Sequence, residues 1–208
     1  MTATETGVRA RLVLATANAH KVTELTRILQ AGHVDVELVS LADFPGAPDV
    51  AETGATFAEN ALLKARAIAE FTGLPAVADD SGLCVDALNG MPGVLSARWS
   101  GRHGADEDNL SLVLAQVADV PDERRGAQFV CVAALVVPGG REHTSEGFVS
   151  GQLIRERRGT NGFGYDPIFV PAGAQLTTAE MAPADKDAIS HRGKAFRALA
   201  PVIAAVLG

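Results

Sequence analysis

The chain has 208 residues, 47% of them hydrophobic and 21% charged, enough apolar surface to offset the entropy of ordering a core, which excludes global disorder. Its longest unbroken apolar run, Phe129 to Val137, falls well short of the roughly 20 residues that cross a bilayer as a helix, so no membrane is expected as a partner. Eighteen basic against 25 acidic residues leave a net charge of −7, which argues against nucleic acid as a partner and requires any polyanionic ligand to meet a local cation cluster or a bound metal.

At this length one domain over residues 1–208, or one domain with two lobes, is expected, and no separable linker is visible. Arg11 to Ala15 reads as a first strand, its apolar stretch being too short for a secretory signal, and Val22, Leu25, Ile28 and Leu29 then recur at helical spacing. Val36 to Val39 predicts a second strand, and Leu41 to Glu52, with Pro45, Gly46 and Pro48, a loop. Thr56 is the expected N-cap of a helix that has Glu59 at the capping-box position, runs to Thr72 and stops at Gly73 and Pro75.

Ala76 to Ala78 reads as a brief buried strand running into Asp79-Asp80-Ser81-Gly82, with Leu83, Val85 and Leu88 available to continue it before a glycine-rich loop from Asn89 to Gly104. A helix over Asp106 to Ala118, a valine-rich strand over Phe129 to Val137, a hairpin turn at Gly139-Gly140 and a strand from Glu142 to about Val149 follow. Then come a loop from Arg155 to Asn161, a short strand over Ile168 to Val170 and a terminal helix from about His191 to Leu207. A parallel-type first unit joined to a later hairpin predicts α/β or α+β with a mixed sheet.

Five segments carry candidate chemistry. Thr16-Ala17-Asn18-Ala19-His20-Lys21 sits between a strand and a helix, where backbone N–H groups, an amide, a hydroxyl and an ammonium make an anion cradle; a plain turn with Asn18 as cap is the alternative. Asp79 and Asp80 leave a buried strand side by side and repel each other, which suits a hard cation such as Mg2+, the alternative being an Asp-Ser-Gly turn. Thr56, Asn60 and Lys64 share a helix stripe at spacing four, and lysine is rare in this chain.

Gly162-Phe163-Gly164-Tyr165-Asp166-Pro167 allows close backbone approach to a flat ligand and offers two rings, although taken alone it reads first as a tight turn anchored by aromatic core residues. Lys186 and Ser190-His191-Arg192-Gly193-Lys194 put cations at the start of the terminal helix, against its macrodipole unless an anion is present. His33, His103 and His143 lack metal-ligand spacing, and Cys84 and Cys131 read as reduced thiols of a cytoplasmic protein. No nucleophile elbow supports covalent catalysis.

Taken together, Leu14 to Lys21, Glu52 to Arg66, Ala78 to Leu83, Gly93 to Gly101, Gly162 to Phe169 and Lys186 to Gly193 closely resemble the inosine triphosphate pyrophosphatase family, which removes ITP, dITP and XTP. The resemblance implies an elongated mixed sheet with flanking helices, forming two lobes around a nucleotide cleft, and a homodimer. It implies that Thr16, Ala17, Asn18, Ala19, His20 and Lys21 hold the triphosphate, that Asp80 accepts a proton and binds Mg2+ with Glu52 as second acid, and that Ser81 contacts substrate. Phe163, Gly164, Tyr165 and Asp166 would line the base pocket, with Lys186, His191 and Arg192 reading the base.

Two departures from the family pattern are visible, Phe148-Val149-Ser150 where Trp-Pro is frequent and Ala51 where a second glutamate is frequent. The expected activity is hydrolysis of a non-standard purine nucleoside triphosphate to its monophosphate and pyrophosphate. A pyrophosphatase for other modified or pyrimidine nucleotides, and a sensor that binds a purine nucleotide without turnover, are the competing expectations.

Overall fold

The computed structural model describes residues 9–16, 18–32 and 35–207. Six strands form one mixed sheet in the order β2-β1-β3-β4-β5-β6. β1 (Arg11–Leu14) lies parallel to both β2 (Glu37–Ser40) and β3 (Ala76–Val85). Beyond them β4 (Gly126–Val137), β5 (Arg141–Leu153) and β6 (Phe169–Pro171) continue antiparallel. β1 and β4 are apolar without alternation because helices cover both of their faces, whereas β5 alternates between covered and open positions. The Gly139-Gly140 turn joins β4 to β5 with both glycines at positive φ, as the sequence suggests.

Helices α1 (Ala19–Ala31) and α5 (His191–Leu207) cover one face, closing a core of Leu12, Leu14, Leu25, Leu29, Val77, Leu135, Phe196 and Leu199. Helix α2 (Phe57–Thr72) covers the other face with Ala61, Ala65 and Ile68 against Val13, Ala78, Val132 and Ala134. Small alanines let α2 lie close to the sheet, and burying Ile68 alone is worth roughly 1.5–3 kcal/mol. The cap of α2 forms as read: Thr56 Oγ1 accepts from Glu59 N, and Gly73 closes the helix in the left-handed conformation at φ 68°. The reciprocal Glu59 bond goes to the Ala55 amide. A third core at the far end of β3 and β4 gathers Leu83, Phe129, Ile168 and Phe169 with α3 (Asp106–Gln116).

Three expectations need correction. Asp79 to Gly82 do not leave the strand: β3 continues to Val85, with Asp79 opposite Ala133, Asp80 opposite Val132 and Ser81 opposite Cys131. Turn-forming residues hold an extended conformation here because cations from three helices balance the acids. The predicted loop over Asn89 to Gly104 contains a 3₁₀ segment, Gly93–Arg98. Lys186 is not at the start of the terminal helix but on a separate short helix, α4 (Pro183–Ile189), set apart by Ser190 in an extended conformation. Among the described residues no helix is long and apolar enough to cross a membrane.

Candidate active site

Strand periodicity decides the site's geometry. Adjacent residues of β3 point to opposite faces, so Asp79 and Ser81 turn toward α1 and α5 while Asp80 turns toward α2. A cleft of about 1440 Å³ spans both sides and is bordered by Thr16, Lys21, Glu52, Lys64, Phe163 and Arg192 among others.

On the first face Asp79 Oδ2 accepts from Lys21 Nζ at 3.1 Å, from Arg192 Nε at 3.2 Å and from Ser81 Oγ at 3.3 Å. Arg192 is 2% exposed and commits its remaining donors as well, Nη1 to Glu24 Oε2 at 2.6 Å and Nη2 to Ser81 Oγ at 2.8 Å. Burial works against the charge on Asp79, but Lys21, Arg192 and Lys64 outweigh it and hold the carboxyl well below the usual range. The anion that the α5 terminus calls for is supplied inside the protein, by Asp79 and Glu24 for Arg192, while Lys194 Nζ donates to the Phe148 carbonyl at 2.8 Å. His191, stacked on Phe129 with centroids 4.8 Å apart, is pushed well below its ordinary pKa by burial and by the neighbouring Arg192 and Lys186, so it is neutral. A Cβ on Gly147 would overlap the His191 carbonyl and the Ala195 amide, and its absence lets α5 sit directly on β5.

On the second face Asp80 Oδ2 accepts from Asn60 Nδ2 at 3.0 Å, and Asn60 Oδ1 accepts from the Gly54 amide at 2.7 Å. Asn60 is fully buried and is fixed in orientation by these two bonds. Lys64 Nζ lies 2.6 Å from Glu52 Oε1 and 3.5 Å from Asp80 Oδ1, one ammonium shared by two carboxylates. Arg98 donates to Glu52 Oε2 and to the Glu52 carbonyl, each at 3.0 Å. Burial raises the Asp80 carboxyl and the charge of Glu52 adds to it, so that it stands above its ordinary value despite Lys64. Glu52 goes the other way: burial raises it, but Lys64, Lys21 and Arg98 prevail and lower it. Lys64 loses to burial and gains more from Asp80, Asp79 and Glu52, which keeps it charged. Among the described residues no three acidic, histidine or cysteine side chains converge as a metal cage; Glu52 and Asp80 form a pair.

The far wall is the segment Phe163 to Asp166. Asp166 Oδ2 accepts from Lys186 Nζ at 2.5 Å and from the Phe163 amide at 2.9 Å, and Asp106 holds the Gly164 amide at 3.1 Å. The Phe163 ring lies 5.5 Å from Lys186 Nζ and 5.7 Å from the Arg192 guanidinium carbon, a cationic setting that favours its face. Tyr165 is largely buried and its hydroxyl donates to the Ser96 carbonyl at 2.9 Å. Burial and Asp106 raise its pKa, so Tyr165 anchors the wall.

At the end of β1, Thr16 Oγ1 accepts from the Asn18 amide at 3.2 Å, and Asn18 Oδ1 accepts from the Lys21 amide at 3.3 Å. Ala17 and His33 lie outside the described residues, as do the side chains of Ala19 and His20, whose backbone begins α1. His103 is exposed and His143 half-buried. Both cysteines are free thiols, Cys131 buried and Cys84 partly so. The sequence marks Asn60 and Lys64 as a polar helix stripe and Arg98 as part of the Gly93 to Gly101 segment, without giving any of them a site role, and it does not single out Glu24. Glu24, Asn60 and Lys64 have a spacing signal, Glu24 three residues after Lys21 and Asn60 four before Lys64; Arg98 has none beyond the segment that carries the resemblance.

The Ham1 family model matches residues 12–202. A protein of Streptomyces coelicolor named dITP/XTP pyrophosphatase is 61% identical over 198 residues, covering 95% of this chain and 99% of its own. The crystal structure of a nucleoside-triphosphatase / dITP/XTP pyrophosphatase from Mycobacterium abscessus is 58% identical, with a TM-score of 0.74 over 92% of this chain and 98% of that one. The structure of a HAM1 protein from Coxiella burnetii, at 42% identity, superimposes with a TM-score of 0.84 over 93% of this chain and 98% of its own.

Proposed function

This chain belongs to the Ham1 family, and on that footing we propose that it hydrolyses the 6-oxo purine nucleoside triphosphates dITP, XTP and ITP to the monophosphate and pyrophosphate, clearing non-standard bases from the nucleotide pool. One observation carries the reading: a single cleft joins two acids sharing an ammonium, Glu52 and Asp80 around Lys64, to an aromatic wall with a cation beside it, Phe163 and Lys186. The first end suits a polyphosphate with its metal, and the second suits a flat base that carries an acceptor.

Magnesium fits the donor set. Glu52 and Asp80 would hold it through hard carboxylate oxygens, and a pair leaves coordination positions to water and phosphate, which Mg2+ favours. When bound, it neutralises polyphosphate charge and polarises the phosphoryl oxygens.

The chain's own groups do the rest. Thr16, Asn18, Lys21 and the start of α1 bind the phosphates, and Ser81 contacts the substrate. Asp80, its carboxyl raised above its ordinary value by burial and by Glu52, accepts the proton of the attacking water, a role for which a raised pKa is an advantage. The bond that breaks joins the α- and β-phosphoryl groups, and pyrophosphate leaves stabilised by the cations. Lys186 donates to the 6-oxo group, where adenine presents an amino donor instead. The reading also has the protein working as a homodimer in the cytoplasm; the free thiols Cys84 and Cys131 support the compartment.

The test is pyrophosphate release with Mg2+ from dITP, XTP, ITP, GTP, ATP, UTP and dTTP. Fast release from the first three is expected, with pyrophosphate and not orthophosphate as product. Equal turnover of ATP and UTP contradicts the base assignment, and tight binding with no release points to a sensor.

A further inference from the structure

Glu52 lies on the stretch between the 3₁₀ turn Leu41–Asp43 and α2, with no strand or helix of its own around it. Its position is therefore set by its partners. One is Lys64, whose ammonium also contacts Asp80. The other is Arg98, which grips both the outer carboxylate oxygen and the backbone carbonyl of Glu52 at 3.0 Å each.

The base of Arg98 is itself locked to β3. A Cβ on Gly82 would overlap the Gly93 carbonyl and Ser96 Oγ, so glycine lets the segment Gly93–Arg98 rest directly on the strand two residues from Asp80. Ser96 Oγ accepts from the Leu83 amide at 2.9 Å and donates to the Gly93 carbonyl at 2.6 Å. Tyr165 fastens the same segment from the opposite wall. Arg98 thus transmits the frame of β3, which carries Asp80, directly to Glu52, alongside the Lys64 bridge and the Gly54–Asn60–Asp80 chain.

We propose that Arg98 is a positioning residue that holds Glu52 at the distance from Asp80 at which the two carboxylates share a divalent cation, independently of Lys64. The proposal rests on the reading of Glu52 and Asp80 as the metal pair. Partners that orient a metal ligand commonly change metal affinity 10- to 100-fold when removed, and a planar two-pronged grip is one that lysine does not reproduce.

The experiment titrates the nucleotide-free protein with Mn2+, a paramagnetic replacement for Mg2+, in wild type and in Arg98→Ala, Arg98→Lys, Glu52→Gln and the double variant Arg98→Ala/Glu52→Gln. Arg98→Ala should weaken Mn2+ binding about 10- to 100-fold, Arg98→Lys should weaken it less, and the double variant should bind no more weakly than Glu52→Gln. That non-additivity separates positioning from a general structural role. If Arg98→Ala does not fold, Arg98→Lys decides. Wild-type Mn2+ affinity in the Arg98 variants, with Glu52→Gln weakened, overturns the proposal and leaves the metal pair standing. Wild-type affinity in Glu52→Gln overturns the metal pair and the proposal with it. Additive losses in the double variant also overturn positioning.

Discussion

Asp79 and Asp80 are chain neighbours on one strand, yet they occupy opposite electrostatic surroundings. Asp79 is enclosed by Lys21, Arg192 and Ser81, and its charge is held far down the pH scale. Asp80 has Asn60 and one shared ammonium, with Glu52 as a competing acid, and its carboxyl is raised. The difference shows how a pleated strand separates two tasks. One face receives a permanent anion that neutralises buried cations and fastens α1 and α5 to the sheet. The other presents a carboxylate whose proton affinity remains usable for chemistry.

The comparison is broken most severely at Asp80. Asp80→Asn keeps the shape and removes the proton acceptor, so kcat for dITP should fall roughly 100- to 10,000-fold, while calorimetry should still show nucleotide binding. A near-normal rate would transfer the base role elsewhere. A smaller effect is expected at the far wall. Lys186→Met should narrow the ratio of kcat/KM for ITP over ATP by about 5- to 150-fold, the value of one buried polar contact left unpaired. An unchanged ratio would mean that Lys186 serves only Asp166, its 2.5 Å partner.

How far the sequence shows this arrangement depends on the distance over which each interaction acts. The α2 helix was legible from Thr56 to Gly73 because its cap, apolar stripe and terminator are local. The hairpin at Gly139-Gly140 was legible for the same reason. The extension of β3 through Asp79 to Gly82 was not, since Asp-Asp-Ser-Gly has turn chemistry and the groups that override it lie 58 and 113 residues away at Lys21 and Arg192. The partnership of Glu24 with Arg192, 168 residues apart, was hidden equally. The five clusters of chemical groups were visible as separate segments. Their convergence on one cleft is a property of the sheet order, which places β1 beside β3 and closes the chain's end over both.

The division between the two carboxylates is tested most directly by equilibrium urea unfolding of Asp79→Asn and Asp80→Asn in metal-free buffer at pH 7. Removing the charge of Asp79 leaves Lys21 without its anion and Arg192 with Glu24 alone, and breaking a buried pair typically costs about 3–5 kcal/mol. Removing the charge of Asp80 relieves its repulsion by Glu52 and its desolvation, so that variant should be as stable as wild type or more so. The folded pKa of Asp79 is below its ordinary 3.8; its contribution is therefore complete above that pH and lost only as pH falls through the lower folded value. The gap between wild type and Asp79→Asn should accordingly persist on acidification to about pH 4 and close only below it. Equal destabilisation by the two variants, or a larger loss in Asp80→Asn, would contradict the account.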